Sequence, residues 1–309
     1  MIAEADVSFY RENGYLVVPD VLSPAELDAV RRVTDELVAA AAGLSTHTDV
    51  YDLEDSHRSG DPPRVRRIKA PHRLHPEYSA LVRHPGIVEV LRQLLSPSLR
   101  FDTSKLNLKA AGYGAPVEWH QDWAFYPHTN DDLAAVGVLL DDCGDDNGPL
   151  QVIAGSHRGP VHDHHRNGFF CGAIADSRGI DVTKAAALTG TAGSITIHHV
   201  RAVHGSAPNR SARERRLLLH QYAAADAWPL LGVDDFASWK ANQLTGDPCV
   251  VPRLADVPVR LPLPPAEQQG SIYENQRGLG GSFWGDAEPA MPAARPQCSG
   301  SPSASARKL

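Results

Sequence analysis

The sequence of 309 residues contains three pairs in which a histidine is followed two positions later by a carboxylate. The pairs are His47 with Asp49, His75 with Glu77, and His120 with Asp122. Residues i and i+2 of a β-strand point to the same side, so one such pair can supply two ligands to a metal ion. A second histidine from elsewhere completes the triad that holds iron(II) with one face open. About two such pairs are expected by chance from 15 histidines and 37 acids, so the sequence context must decide among the three.

The local sequence disfavours the first two pairs. His47 lies in a polar stretch, residues 43–68, that we interpret as a long loop or lid without a fixed backbone. His75 precedes Pro76 at a predicted helix start, where Glu77 suits the acidic first turn. Neither pair is therefore expected to bind a metal ion.

The third pair has a context that suits a metal centre. His120 and Asp122 follow a predicted strand and a tight turn at 113–116, and the aromatic residues Trp119, Trp123 and Phe125 flank them. Large apolar side chains beside the ligands exclude water from an oxidising centre. We therefore predict that this pair, and not the others, supplies two metal ligands.

The third ligand and an anion site are predicted from one stretch of sequence. His204 follows the apolar run 194–200, and Arg215 opens the next apolar run eleven residues later. The cosubstrate 2-oxoglutarate chelates iron through its keto-acid end, and its distant carboxylate pairs best with a guanidinium and a hydroxyl. Arg215 and Ser206 fit these roles, with Arg216 as the alternative if the strand register differs by one residue.

Two helical segments precede the candidate ligands. Ser23 and Glu26 form a capping pattern, and apolar residues at helical spacing predict a helix over 24–41. A second helical segment, 76–96, is interrupted at Pro85. These helices are expected to pack outside the part of the chain that carries the ligands.

The period of the apolar residues changes at about residue 99. Short apolar runs bounded by turn residues, with no clear helices between them, predict an all-β core over 99–225. We expect a single domain over 1–285, in which 1–98 is the helical part. Residues 286–309 are rich in proline, serine and alanine and are predicted to be disordered.

The composition excludes several functional classes. A net charge of −7 argues against a nucleic-acid binder, which needs an excess of basic residues. No apolar run approaches the ~18 residues that a membrane helix requires. The four cysteines are scattered and form no paired motif, so we expect a reducing, cytoplasmic location. The partner is expected to be a small molecule, and the chain a monomer or homodimer.

Several stretches together resemble the phytanoyl-CoA dioxygenase family of iron(II)- and 2-oxoglutarate-dependent oxygenases. They are EWHQDWAFYP at 118–127, DDLAAVGVLLDD at 131–142, DDNGPLQVIAGSHRG at 145–159 and HGSAPNRSARER at 204–215. The opening sequence FYRENGYLVVPDVLSPAEL is similar to this family as well. The resemblance covers about residues 9–225, and its motifs are specific in combination rather than singly.

The resemblance implies a cofactor set and its ligands. Iron(II) would be held by His120, Asp122 and His204, and these residues would be catalytic. The cosubstrate 2-oxoglutarate would contact Ser206 and Arg215, and O2 would be the oxidant. The implied fold is mainly β with flanking helices, a double-stranded β-helix of the jelly-roll, cupin-like type.

Further contacts are implied by the same resemblance. Lys105 and Asn107, on the strand before the ligand turn, should line the cosubstrate site, and Lys69 is a further candidate. Apart from the resemblance, the aromatic residues Trp123 and Phe125 either pack in the core or form the wall of the substrate site. His128 and His164 are additional candidates for substrate contact. His164 belongs to a histidine cluster that we otherwise interpret as a solvated loop.

The expected reaction is hydroxylation of a small organic molecule, with decarboxylation of 2-oxoglutarate to succinate and CO2. The same cofactors also support desaturation, epimerisation and endoperoxide or ring formation. Halogenation is disfavoured because halogenases of this fold typically lack the carboxylate that Asp122 supplies. A zinc hydrolase would not need Ser206 and Arg215, and a non-catalytic jelly-roll binding protein would not need the complete triad.

Two expectations concern access to the site. Residues 43–68 and 158–170 should be mobile and close over the substrate. The basic residues of segment 64–73 could bind the phosphates of a coenzyme A thioester, which we keep as a minor alternative.

Of the adjacent His198 and His199, one must face the interior of the protein, because neighbouring residues of a strand point to opposite faces.

Overall fold

The computed structural model describes residues 1–112 and 114–285, so the tail expected to be disordered lies outside the described residues. The α-helices are α1 (Glu4–Asn13), α2 (Pro24–Ala40), α3 (Pro76–Val82), α4 (Pro85–Leu94), α5 (Phe236–Ala241) and α6 (Ile272–Asn275). The strands are β1 (Tyr15–Val18), β2 (Tyr51–Leu53), β3 (Val65–Lys69), β4 (Leu99–Lys109), β5 (Val117–His120), β6 (Leu133–Leu139), β7 (Leu150–Ile153), β8 (His165–Arg166), β9 (Phe169–Phe170), β10 (Ala185–Leu188), β11 (Ile195–His199), β12 (His204–Ser206), β13 (Arg215–Ala224) and β14 (Gln243–Thr245).

The strands form two principal antiparallel sheets. The larger has the order β1-β11-β6-β13-β4-β3-β2, with β14 beside β4. The smaller has the order β10-β7-β12-β5, and β8 pairs with β9 separately. Because sequential neighbours such as β4 and β5 lie in different sheets, the chain crosses repeatedly between the two sheets.

Side chains alternate between the two faces of the larger sheet, as strand geometry requires. On β13, Leu217 and Leu219 contact Leu150 and Val152 of the smaller sheet, which places the two sheets face to face. Leu218 of the same strand packs instead into the cluster that the helices cover. The helices therefore lie on the outer face of the larger sheet, and the space between the sheets is left for other residues.

The helices follow their sequence signals closely. Ser23 caps α2, where its hydroxyl accepts a hydrogen bond from the Glu26 amide, and the Glu26 carboxylate accepts one from the Ser23 amide. The predicted break at Pro85 separates α3 from α4. None of the helices in the described ranges has the length and apolar character needed to cross a membrane.

The structure differs from the sequence prediction before residue 99. Strands β1, β2 and β3 belong to the larger sheet, so 1–98 is not purely helical. The stretch 43–68 contains β2 and most of β3, so it is not the continuous loop that the sequence predicted. Its strands were hidden because β3 buries two charged residues, Arg66 and Arg67, where alternation of apolar and polar residues was expected.

Candidate metal centre and adjoining cavities

Two histidines meet where β5 and β12 pair. His120 ends β5 and lies opposite His204, the first residue of β12, with ring centroids 4.0 Å apart. Each ring donates its Nδ1 hydrogen to the carbonyl of the residue two positions earlier, at 2.8 Å for His120 and 2.9 Å for His204. These bonds fix both ring orientations and leave the Nε2 lone pairs free to bind a metal ion.

Asp122 completes the group from the turn that follows β5. Its Oδ1 lies 3.9 Å from His120 Nε2 and 4.0 Å from His204 Nε2, and all three side chains are buried. Tyr126 donates its hydroxyl hydrogen to the same oxygen at 2.7 Å, and Gln221 donates to Oδ2 at 3.3 Å. The three ligand atoms lie within 4.8 Å of one another, so they could hold one metal ion.

The protonation states suit a divalent cation. Burial lowers the pKa of His120 to about 4 and holds that of His204 well below its usual value, so both rings are neutral at pH 7. Burial opposes ionisation of Asp122, but the Lys105 ammonium and the adjacent His198 outweigh it and keep the pKa of that carboxyl well below its ordinary value. Two neutral imidazoles and one carboxylate form the donor set that suits iron(II).

A narrow inner cavity extends from the ligands between the two sheets. Asn107, Ser206 and Arg215 line it, together with His198. Arg215 is buried and donates from Nη2 to the Gly148 carbonyl at 2.7 Å. Its Nε and Nη1 have no hydrogen-bond partner within the described chain. Buried guanidinium hydrogens without an acceptor are costly, so this cavity fits an anion such as a carboxylate.

The inner cavity also contains Lys109, which the sequence did not single out, and His198. Lys109 lies beside Arg215, and its ammonium donates to the backbone carbonyls of Ser206 and Ala207. Its position was readable from strand alternation, because Lys105, Asn107 and Lys109 share one face of β4. His198 faces inward, with Nε2 at 3.5 Å from Asp122 Oδ2.

A wider outer cavity of about 310 Å³ adjoins the ligands. Arg67, Lys105, Asp122, Leu219 and Ile272 line both cavities, so the two meet at the carboxylate ligand. The remaining lining residues of the outer cavity are Lys69, Ala70, Thr103, Ser104, Phe125, Tyr126, Gln221, Gly270, Ser271 and Asn275. A volume near the lower end of ligand sites suits a small molecule.

Four predicted site residues lie outside the inner cavity. Trp123 is buried with its indole nitrogen bonded to a backbone carbonyl, and neither it nor His128 lines a cavity. His164 is buried, and its Nε2 accepts a hydrogen bond from the Gln121 amide at 2.9 Å. Lys69 reaches only the outer cavity, where its ammonium donates to a loop carbonyl at 2.8 Å. Trp123, His128 and His164 therefore line neither the inner nor the outer cavity.

A C-terminal segment, Ser271 to Trp284, covers the cavities; we call it the roof. Ile272 and Tyr273 of the roof line the inner cavity. Gln276 accepts a hydrogen bond from the Glu118 amide at 3.1 Å, and the Trp284 indole donates to the Val117 carbonyl at 3.1 Å. The roof, and not the stretch 43–68, thus closes the site.

The loop 158–170 is tied down as well. The Gln121 side chain donates to the Pro160 carbonyl at 3.1 Å and accepts from the His162 amide at 2.8 Å. Because Gln121 stands between two metal-ligand candidates, this loop is anchored to the site itself. The contacts of this loop do not support the expectation that it moves freely as a lid.

An ion-pair network fastens the roof to the edge of the larger sheet. Arg66 pairs with Asp52 at 3.1 Å and with Glu274 of the roof, and Ser271 donates to Asp52. Burial on its own would raise the pKa of Asp52. The Arg66 charge and the Ser271 hydrogen bond lower this pKa by more than burial raises it, so the net shift is downward. His47 lies near both carboxylates. Arg66, with Arg277 beside Glu274, balances the charge of these two carboxylates, so the group is accounted for without a metal ion.

We expect Arg66→Met to loosen the roof. Removing one member of a buried ion pair costs ~3–5 kcal/mol because its partners remain charged and unpaired. Hydrogen exchange of the amides in 271–277 should therefore accelerate more than tenfold, while exchange in β13 changes little. Arg277→Met is the matched control, because Arg277 is 42% exposed and its ion pairs with Asp55 and Glu274 are worth ~0–1 kcal/mol. Equal acceleration in both variants would contradict this role of Arg66.

Comparison with known proteins places the chain in a family. Residues 10–217 match the family model of phytanoyl-CoA dioxygenase (PhyH). The chain is 39% identical over 276 residues to a "probable alpha-ketoglutarate-dependent hypophosphite dioxygenase" of Stutzerimonas stutzeri, which covers 87% of this chain and 96% of that protein. It is 30% identical over 239 residues to an L-proline trans-4-hydroxylase of Streptomyces griseoviridis, covering 69% and 83%.

A solved structure agrees with these relatives. The non-heme alpha-ketoglutarate-dependent carbocyclase of nogalamycin biosynthesis superposes with a TM-score of 0.60 at 26% identity, over 80% of this chain and 93% of that one. The geometry of the site agrees with these likenesses. It combines a buried pair of histidines and one carboxylate with a buried guanidinium whose Nε and Nη1 have no acceptor in the described chain. The chain belongs to the phytanoyl-CoA dioxygenase family and is an oxidoreductase, a dioxygenase dependent on iron(II) and 2-oxoglutarate.

Proposed function

We propose that His120, Asp122 and His204 hold the iron and that 2-oxoglutarate occupies the inner cavity. The observation that carries the second part is the buried Arg215 guanidinium, whose Nε and Nη1 have no acceptor in the described chain. The distant carboxylate of 2-oxoglutarate would supply that acceptor, with Ser206 and Lys109 beside it. Its keto-acid end would then face the ligand atoms.

In this proposal the residues around the metal position the ligands and exclude water, while the bound iron supplies the redox chemistry by which O2 oxidises 2-oxoglutarate and the substrate. The Nδ1 hydrogen bonds hold both imidazoles in the tautomer that can bind metal, and Tyr126 and Gln221 orient the Asp122 carboxylate. The roof residues Ile272 and Tyr273 keep water away from the reacting groups.

We further propose that the two facing sheets form a jelly roll, with the site at the mouth of the smaller sheet. The reaction favoured is hydroxylation of a small organic molecule, with desaturation, epimerisation or ring formation as alternatives on the same cofactors. A coenzyme A thioester is disfavoured, because Arg66 and Arg67 of the basic segment are buried rather than presented on the surface. A cytoplasmic location, and a monomer or homodimer, stay predictions.

A second candidate substrate is hypophosphite. The relative whose name gives this substrate matches 96% of its own length, far more than the family core alone. The two basic residues that line the outer cavity, Arg67 and Lys105, suit an inorganic anion as well as an organic one. Both candidates need the same iron and cosubstrate sites.

The test is turnover of 2-oxoglutarate by the purified protein. With iron(II), ascorbate and O2, we expect succinate to form slowly without substrate and faster in the presence of the right one. A metabolite extract and hypophosphite serve as the two trial substrates, and mass spectrometry identifies the oxidised product. Absence of any succinate under all conditions, from protein that retains iron, would exclude the proposed cosubstrate site.

A further inference from the structure

Five arginines of the described chain are buried: Arg66, Arg67, Arg100, Arg215 and Arg216. Three of them pair with aspartates, namely Arg66 with Asp52, Arg100 with Asp102, and Arg216 with Asp141. Arg215 is assigned to the cosubstrate above. Arg67 alone has neither an ion-pair partner in the described chain nor an assigned anion.

The groups in direct contact with the Arg67 guanidinium are neutral. Its Nε donates to the Asn107 amide oxygen at 2.8 Å, and its guanidinium lies 5.2 Å from the centre of the Tyr273 ring. Burial lowers the pKa of this guanidinium, because no carboxylate lies close enough to offset the loss of water. A buried cation of this kind is strongly stabilised by an anion placed against it.

Lys105 provides a second cation at the same place. Arg67 and Lys105 both line the inner and the outer cavity, on the paired strands β3 and β4. The Lys105 ammonium lies 3.7 Å from Asp122 Oδ1, its only ion-pair partner in the described ranges. A divalent cation bound to Asp122 would cancel that negative charge, so Lys105 would also lack a counter-ion in the loaded enzyme.

We propose that Arg67 and Lys105 form the substrate-recognition pair of the outer cavity, and that the substrate is a small oxyanion. This inference rests on the proposed function, in which the metal and Arg215 take the two carboxylates of 2-oxoglutarate. The charged oxygens of the substrate bind to the two cations. Its oxidisable C–H or P–H bond is thereby held at the junction of the two cavities, beside Asp122.

The reaction is balanced without any further reagent. A substrate R–H, O2 and 2-oxoglutarate give R–OH, succinate and CO2. The carbon–carbon bond next to the keto group breaks, and the released carboxylate leaves as CO2. One oxygen atom of O2 enters succinate and the other enters the substrate, so the substrate and 2-oxoglutarate each lose two electrons to O2. The negative charge of the substrate is unchanged, so both cations remain paired.

Direct binding tests the assignment. Wild-type protein loaded with Mn(II) and 2-oxoglutarate, without O2, is titrated calorimetrically with hypophosphite and, separately, with acetate as a carbon oxyanion. We expect saturable binding of at least one anion, with one anion bound per chain. Lys105→Met and Arg67→Gln should each raise its dissociation constant about tenfold or more, as loss of a charged hydrogen bond implies. The dissociation constant of 2-oxoglutarate should rise by a smaller factor than that of the anion, because Arg67 and Lys105 line the inner cavity as well.

Matched variants keep the result interpretable. Lys184→Met removes one exposed cation that lines neither cavity and should leave anion binding unchanged. Lys105→Arg keeps the charge and should retain most of the affinity, which separates recognition from folding. If the protein binds hypophosphite more tightly than acetate, the substrate is a phosphorus oxyanion. The reverse order identifies a carboxylate.

Two outcomes would overturn the inference while leaving the proposed function intact. One is that loaded wild-type protein binds neither anion at roughly 10 mM. The other is that Lys105→Met and Arg67→Gln weaken 2-oxoglutarate as much as the anion, which would assign both cations to the cosubstrate. If wild-type protein fails to bind Mn(II) and 2-oxoglutarate at all, the proposed function itself is wrong.

Discussion

Asp122→Ala and His204→Ala are each expected to abolish turnover and to lower the iron content of the purified protein to background. A site with three protein ligands loses both affinity and geometry when one ligand is removed, and the two that remain cannot fix an open face. Iron is measured by metal analysis and turnover by succinate formation. Near-native iron content and activity in either variant would make the ligand assignment wrong.

His75→Gln is the matched control for this experiment. It removes a histidine from a pair of the same spacing, but in the structure His75 only caps α3 by accepting a hydrogen bond from the Glu77 amide at 3.2 Å. A lost cap costs ~1 kcal/mol of stability and should leave iron content unchanged. A shared loss of iron would indicate unfolding rather than loss of a ligand.

Arg215→Ala is expected to raise the KM for 2-oxoglutarate by roughly 10–150-fold, because a hydrogen bond to a charged group contributes ~1.5–3 kcal/mol. The KM for substrate should change far less. Initial rates measured over a range of each compound separate the two effects. Equal increases in both constants would remove Arg215 from the cosubstrate site.

Arg216→Ala distinguishes the two possible registers of β13. Arg216 points to the other face of the strand, where it pairs with Asp141 at 2.7 Å and Asp35 at 2.6 Å. These carboxylates and its own hydrogen bonds raise the pKa of Arg216 above its ordinary value, as expected for a structural ion pair. Its loss should lower the melting temperature by a few degrees and leave the KM for 2-oxoglutarate unchanged. A larger effect on this KM than that of Arg215→Ala would reverse the assignment.

The metal-ligand candidates were accessible from sequence because their signal is local. A histidine and an aspartate two positions apart, and a second histidine that opens a strand, need no knowledge of distant contacts. The resemblance implied Lys105 and Asn107, which alternate on one face of β4, and Arg215 was predicted from the stretch that follows His204. Lys109 was missed, although it follows the same alternation.

Residues that depend on long-range contacts could not be placed in this way. Arg67 lies in a stretch whose polar composition indicated a loop. The neighbouring Arg66 is buried in an ion pair with Glu274, which is distant in sequence, so the local sequence could not show that these charged residues belong to a strand. Ile272 and Tyr273 lie beyond the family match that ends at residue 217, in a region without a periodic pattern. Conversely, the sequence suggested that His128 and His164 contact the substrate, but in the structure both form hydrogen bonds with backbone groups.

The position of the roof in the chain has a consequence for biosynthesis. All three ligands precede Ala224, the last residue of β13, whereas the roof begins 47 positions later, at Ser271. A ribosome adds about 5–20 residues per second, so β13 is complete for roughly 2–9 s before any roof residue exists. During that time the space between the sheets has no cover made of Ile272 and Tyr273. The candidate metal ligands are therefore synthesised before the residues that cover them.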